Sequence, residues 1–215
     1  MTVTIGKTEL QNMFAQAAAQ LRSENRRLSE LDSIGGDGDH GTTMLRAAEQ
    51  MEAWPREPED ESLAALLKAV GWRVLSIDGG ASSSLLGTFF SGMGDVALSR
   101  DSMDATQLAQ SLQAGLHAVG RQTKAKPGDK TMMDALSPAI AAASAAAEAG
   151  KAVPKVLQEA AAAAQSGAES TRNLVARYGR ARSLGERTRG HPDAGATSIA
   201  LIFKGFREGV NNAGS

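Results

Sequence analysis

Asp32, Asp37 and Asp39 crowd three carboxylates into the run Leu31-Asp-Ser-Ile-Gly-Gly-Asp-Gly-Asp-His-Gly-Thr-Thr43. Carboxylates held that close repel one another unless a counter-charge intervenes. Gly35, Gly36, Gly38 and Gly41 let the backbone bend so that the three can converge. Hard oxygen ligands on a flexible loop suit Mg²⁺, which takes a carboxylate or two and completes its shell with phosphate oxygens and water. Immediately after them, His40-Gly41-Thr42-Thr43 opens a helix. Backbone N–H groups at such a start lack intrahelical acceptors and attract phosphate. The segment reads as a metal–polyphosphate site.

Other uses of these residue types fit less well. Gly36, Gly38 and Gly41 match the spacing of a dinucleotide-binding fingerprint, but no β-rich strand precedes them. Two aspartates inside that loop would also repel a pyrophosphate without a metal. A calcium loop starting at Asp37 would need a bidentate Glu at its last position, where Ala48 stands. An Asp/Gly turn that only caps a helix uses the same residues. The rest of the chain has to separate it from a site.

The elements that must position these groups are helical. The chain has 215 residues, enough for one large domain, and we read residues 1–215 as a single one. Hydrophobic content of 42% is rich in Ala while aromatics are only 4%, which favours closely packed helices over sheets. Leu10, Met13, Phe14, Ala17 and Leu21 form a helical stripe. Leu63, Leu66, Leu67, Val70 and Val74 repeat it, as do Ile199, Ile202, Phe203, Phe206 and Val210. The pattern predicts eight helices: 6–27, 41–53, 60–76, 82–99, 105–121, 131–148, 153–177 and 195–210. No strand is expected. The fold class is all-α, an up-and-down antiparallel bundle or barrel.

The seven connections fall into two kinds. The second, fourth and sixth (Trp54–Glu59, Arg100–Asp104, Gly150–Ala152) carry Pro and charge and little else. The first holds the aspartates. The third is Asp78-Gly-Gly-Ala-Ser-Ser-Ser84, the fifth Lys124-Ala-Lys-Pro-Gly-Asp-Lys-Thr131, and the seventh runs from Tyr178 to Ala194. Alternate loops of an up-and-down bundle lie at one end. All four polar, glycine-rich loops therefore share a face, which argues for a site over a bare cap.

Each loop suggests a role. Small residues at Gly79 to Ser82 let a ligand approach the backbone of a helix start. Lys130, after the Pro127-Gly128-Asp129 turn, is the lysine best placed to neutralise phosphate, ahead of Lys124 and Lys126. Arg177, Arg180, Arg182, Arg187 and Arg189 offer guanidinium forks for phosphate oxygens. His40 joins the aspartates, His191 is ambiguous, and His117 reads as a mid-helix packing residue. No Ser-His-Asp arrangement or phosphate-binding P-loop is present. Net charge is −1 and the arginines lack interleaved aromatics, so nucleic acid is not an expected partner. No run approaches a membrane span or a secretory signal. The absence of cysteine excludes disulfides and thiolate sites and agrees with a reducing cytoplasm.

Together the four loops resemble a known family. Gly36-Asp-Gly-Asp-His-Gly-Thr-Thr43, Gly79-Gly-Ala-Ser82, Leu86-Gly-Thr-Phe-Phe90, Lys126-Pro-Gly-Asp-Lys-Thr-Met132 and Gly190-His-Pro-Asp-Ala-Gly-Ala-Thr-Ser198 are similar, in order and spacing, to the nucleotide-binding L subunit of dihydroxyacetone kinases. The likeness covers essentially the whole chain. It implies an eight-helix α-barrel with ADP or ATP at one rim. It implies that Asp32, Asp37 and Asp39 hold two Mg²⁺ ions, and that His40, Gly41, Thr42, Thr43, Ala81 and Ser82 contact phosphates. Thr123 and Met132 would line the nucleoside pocket, although the family residue at Thr123 differs. Arg180 would reach the nucleotide as the catalytic cation, and Asp193, Ala194 and Gly195 would close over it.

The resemblance also implies a partner. In this family the ketose sits on a separate K subunit or domain, which supplies the attacking hydroxyl. One form of the family uses exchangeable ATP. The other retains ADP, rephosphorylated by a phosphohistidine protein of the phosphoenolpyruvate-dependent system. The Asp-Gly-Asp and Thr42-Thr43 spelling leans towards ATP, while the Asp-His-Gly spelling and the separate-subunit length lean the other way. A rival from another class is a non-catalytic module that holds ADP–Mg²⁺ and docks onto a regulator.

Overall fold

A computed structural model describes residues 4–53, 62–96 and 101–212. The connection expected at 54–59, the end of the helix expected to reach 99, and Arg100 lie outside them. The described residues form nine α-helices: α1 Lys7–Ser23, α2 Asn25–Asp32, α3 His40–Glu52, α4 Leu63–Leu75, α5 Gly80–Met93, α6 Ala105–Gln122, α7 Met133–Glu148, α8 Val153–Ser170 and α9 Ala194–Asn212. Two 3-10 segments, Thr171–Asn173 and Arg180–Thr188, lie between α8 and α9. Among the described residues the only β pairing is one antiparallel bridge, Ile5 to Met103. None of their helices is long and apolar enough to cross a membrane.

Local signals set the helix ends. Asp104 and Gln107 form a reciprocal box at the start of α6: the Gln107 N–H donates to Asp104 Oδ1 at 2.8 Å, and the Asp104 N–H to Gln107 Oε1 at 3.0 Å. Glu9 takes the Gly6 N–H at 2.8 Å ahead of α1. Pro154 sits in the first turn of α8, where its missing N–H costs nothing.

The helices pack as a closed ring. α1 packs on α3, α3 on α4, and each later helix on the next, until α9 returns to α1. The core inside is dominated by all five phenylalanines of the chain, Phe14, Phe89, Phe90, Phe203 and Phe206, each fully buried. Phe14 meets Phe90 edge to face with centroids 5.0 Å apart, and Phe206 at 5.3 Å. Leucine, methionine, valine and alanine fill the rest of the core.

Two expectations need correction. The helix expected over 6–27 is two helices, broken at Glu24, where the backbone leaves helical geometry (φ −108°, ψ 6°). The Asn25 side-chain amide donates to the Arg22 carbonyl and Ser23 Oγ to the Gln20 carbonyl at 2.9 Å, so side chains compete with the helical ladder there. The chain then runs on as α2, and Asp32 is its last residue rather than a loop residue. The helix expected over 153–177 ends at Ser170, and the seventh connection contains the 3-10 segment Arg180–Thr188.

A close seam joins α1 to α9. A Cβ added to Gly205 would lie 2.3 Å from both Cα and N of Ala17. Those are backbone atoms, so relief requires the helices to separate. Gly205→Ala should lower the urea midpoint by an amount equivalent to about 1–3 kcal/mol, the usual cost of overpacking. A midpoint equal to that of the parent chain would show that the seam has slack.

Candidate functional site

The three aspartates converge. Asp32 closes α2, Asp37 and Asp39 precede α3, and one carboxylate oxygen from each lies within 4.8 Å of the others. The loop between them is shaped around Asp32. Its Oδ2 accepts the Gly38 N–H at 2.9 Å, and a Cβ at Gly36 would lie 2.3 Å from its Oδ1. Gly38 turns through φ +79°, the left-handed region that suits glycine. Desolvation and the neighbouring Asp37 charge push the Asp39 carboxyl above its ordinary range. Asp37 is pushed up by desolvation as well, but its own backbone hydrogen bond and the Arg180 charge bring it below that range. Three hard oxygen donors under mutual repulsion fit a divalent cation such as Mg²⁺.

Helix starts surround this cluster. The first ladder bond of α3 runs from the Thr43 N–H to the Asp39 carbonyl at 2.9 Å. The N–H groups of His40, Gly41 and Thr42 therefore precede the ladder. His40 and Thr43 line a cavity of about 790 Å³, whereas Gly41 and Thr42 are not among its lining residues. Gly41 is buried against α2, where a Cβ would sit 1.9 Å from the Asn25 carbonyl, and Thr42 is exposed. The start of α5 adds Ala81 and Ser82 to the same cavity. It is held there by Arg46, which donates to the Asp78 carbonyl at 3.0 Å, and by Gly79, whose missing Cβ would meet the Thr43 methyl at 2.5 Å.

His40 ties this end to α9. Its Nε2 lies 2.7 Å from Ser198 Oγ, which donates to the Ala194 carbonyl at 3.2 Å. Burial pushes the imidazole below its ordinary pKa, opposed by the Asp32 charge and the Ala194 carbonyl.

The far wall comes from the fifth and seventh connections. Thr123, Met132, Asp193, Ala194 and Gly195 line the same cavity as the aspartates. The site for a Cβ on Gly195 lies 3.5 Å from Met132 Cβ, so those two segments face each other closely. Of the five arginines, Arg180 lines the cavity and forms an ion pair with Asp37. Arg177 pairs instead with Asp129 at 3.6 Å, and Arg189 with Glu186 at 2.6 Å. Lys124 and Lys126 are exposed outside the cavity lining, whereas Lys130 lines it from a buried position. His191 also lines it. His117, expected to pack, is exposed and meets Gln113 at 3.0 Å, because the buried face of α6 passes through Leu108, Leu112 and Val119. Sequence reasoning did not single out Arg46 or Tyr178. Tyr178, the chain's only tyrosine, adjoins Arg180 on the cavity rim.

Asp193 joins the walls. Its Oδ2 accepts the Ala196 N–H at 2.7 Å and so caps α9, and its own N–H donates to Thr171 Oγ1 at 2.8 Å. Burial pushes its carboxyl up to about 6, against the pull of that N–H and of Lys130. The folded state therefore holds this proton more tightly than the unfolded chain. The stability it contributes is complete below the ordinary pKa of 3.8 and is lost as pH rises through about 6. Asp193→Asn keeps a capping side chain without the proton. The urea midpoint of the parent chain should fall relative to this variant between about pH 4 and pH 6. Parallel profiles would show that Asp193 is ionised throughout.

Comparison with known proteins agrees with this geometry. The DAK2 domain family matches residues 34–208. The PEP-dependent dihydroxyacetone kinase, ADP-binding subunit DhaL, of Escherichia coli strain K12 is 35% identical over 202 residues, covering 94% of this chain and 96% of that one. A protein of the same description, numbered kinase 1, from Listeria innocua is 36% identical over 181 residues, covering 84% and 85%. The crystal structure of the dihydroxyacetone kinase from C. freundii in complex with AMP-PNP and Mg²⁺ superposes with a TM-score of 0.71 at 28% identity. It covers 97% of this chain, which spans only 35% of that longer one. Ring of helices, rim of loops and ordered motifs converge on one assignment: the chain belongs to the DAK2 domain family.

Proposed function

We propose that this chain is the cytoplasmic nucleotide-binding subunit of a kinase for dihydroxyacetone or a related short ketose, and that it passes a phosphoryl group from its Mg²⁺-bound nucleotide to a ketose held on a separate K subunit. The observation that supports this most is the convergence, in one cavity, of three carboxylates, two helix starts and Arg180, with Met132 and Asp193 to Gly195 on the facing wall.

Phosphoryl transfer needs alignment and charge neutralisation more than covalent help from the protein. Bound Mg²⁺, two ions shared by Asp32, Asp37 and Asp39, would neutralise the phosphates. His40 and Thr43 at the start of α3, with Ala81 and Ser82 at the start of α5, bind phosphate oxygens. Arg180 stabilises charge developing on the transferred group, and its ion pair with Asp37 keeps it at that end of the cavity. Thr123 and Met132 form the nucleoside wall, over which Asp193, Ala194 and Gly195 close. The attacking hydroxyl, and any base that activates it, belong to the partner.

Mixing the chain with a K subunit, dihydroxyacetone and the nucleotide donor should give turnover. Arg180→Ala should slow it by more than ~100-fold, the cautious end of what a charge-stabilising arginine supplies. Arg187→Ala, outside the cavity lining, should change it little. Asp37→Asn and Asp39→Asn should abolish Mg²⁺-dependent ADP binding in calorimetry while helical circular dichroism persists. Normal ADP–Mg²⁺ binding by either variant would remove the carboxylate site from the scheme.

The phosphoryl source has two readings. The Asp-Gly-Asp and Thr42-Thr43 spelling favours free ATP. The relatives that match over most of their own length are named ADP-binding subunits of PEP-dependent kinases, which favours a retained ADP recharged by a phosphohistidine protein. Denaturing freshly purified protein and quantifying the nucleotide separates them. Near-stoichiometric ADP without ATP-driven turnover selects the recharged form; an empty site with ATP-driven turnover selects the direct one.

A further inference from the structure

Among the described residues Lys130 is the only non-glycine with positive φ, at +59°. L side chains seldom adopt that conformation, and it persists where the surroundings demand it. Here it turns the side chain inward, leaving Lys130 only 7% exposed. The ammonium, singled out in the sequence for neutralising phosphate, is held by backbone carbonyls. Nζ donates to the Thr171 carbonyl at 2.6 Å and to the His191 carbonyl at 2.5 Å. The carboxylates that act most on it are Asp193 and Asp134, and burial lowers its pKa.

Both acceptors lead to the same wall. Thr171 uses its carbonyl for Lys130 and its hydroxyl for the Asp193 N–H. His191 stands two residues before Asp193, and Lys130 two residues before Met132. Asp134 steadies the base of the turn by accepting from the Gly128 and Thr131 N–H groups at 2.6 and 2.8 Å. One buried cation thus links the segment carrying Met132 to the segment carrying Asp193 and Gly195. The carboxylate cluster is built separately, from α2 and the start of α3.

We infer that Lys130 is the positioning residue for the nucleoside end of the site: its ammonium clamps the fifth connection to the carboxyl end of the seventh and fixes the gap between Met132 and Gly195. The inference rests on the nucleotide reading above and names the residue that sets one half of that site. Other links between these segments survive its loss. The Arg177 N–H still donates to the Asp129 carbonyl at 3.1 Å across the two segments, and within the seventh connection Arg172 Nη1 still donates to the Gly190 carbonyl at 2.7 Å. The effect should therefore be local.

The test compares two ligands, ADP–Mg²⁺ and Mg²⁺–tripolyphosphate, by calorimetry on the whole chain. Lys130→Met should weaken ADP–Mg²⁺ by about 10–100-fold, the fold-change expected for loss of charge-assisted hydrogen bonds. Tripolyphosphate, which has no nucleoside, should bind as it does to the parent chain. Lys130→Gly relaxes the left-handed backbone yet lacks the ammonium. It should fold at least as readily and lose ADP affinity in the same selective way. Parent-like ADP binding by Lys130→Gly would assign the effect to backbone shape and overturn the inference, as would equal weakening of both ligands. A parent chain that binds neither ligand would instead strike the nucleotide reading itself.

Discussion

Repulsion among Asp32, Asp37 and Asp39 is the constraint around which the rest is arranged. Three carboxylate oxygens within 4.8 Å of one another do nothing for folding. Asp32 is worse placed still, at the carboxyl end of α2, where the helix dipole is already negative. The chain tolerates this by setting the cluster at the rim, beside α3's first N–H groups and Arg180, above an apolar core. Gly36 is there because Asp32 occupies the space its side chain would need, whereas Gly35 makes room for Ala181 and Gly38 for Ser33.

Much of this was legible because helices report themselves by spacing. The stripes through Leu10, Leu63 and Ile199 all became buried helix faces. Sorting connections by composition brought the first, third, fifth and seventh to one cavity. The break at Glu24 was hidden because Leu21 and Leu28 stand seven residues apart and keep the stripe running through it. Only side-chain competition from Ser23 and Asn25 makes the break, and such bonds leave no periodic trace. The Arg180–Thr188 segment escaped for the opposite reason: it has almost no apolar residues to form a period.

Within the site, residue type was more readable than direction. Gly41 looked like a phosphate contact and proves to be buried against α2, so any contact it makes is through its N–H. Lys130 looked like a phosphate counter-charge, and two of its three N–H donors go to backbone carbonyls. A left-handed lysine is invisible in a sequence, since the backbone angle that aims it is decided by what Thr171 and His191 offer many residues later. His117 shows the same limit on the outer face: apolar neighbours in sequence say little about the side of a helix a residue occupies.

The return of α9 onto α1 has a topological consequence. α1 runs towards the rim through α2, and α9 starts at the rim and runs away from it, so the described ends of the chain emerge side by side at the face opposite the cavity. The bridge between Ile5 and Met103, in the fourth connection, belongs to that same face. A polypeptide continued from either end would leave without crossing the mouth of the site. The two ends could be joined and the ring reopened at another bland connection without moving a residue that lines the cavity. In this architecture the order of the helices along the chain is separable from the order of the walls around the ligand.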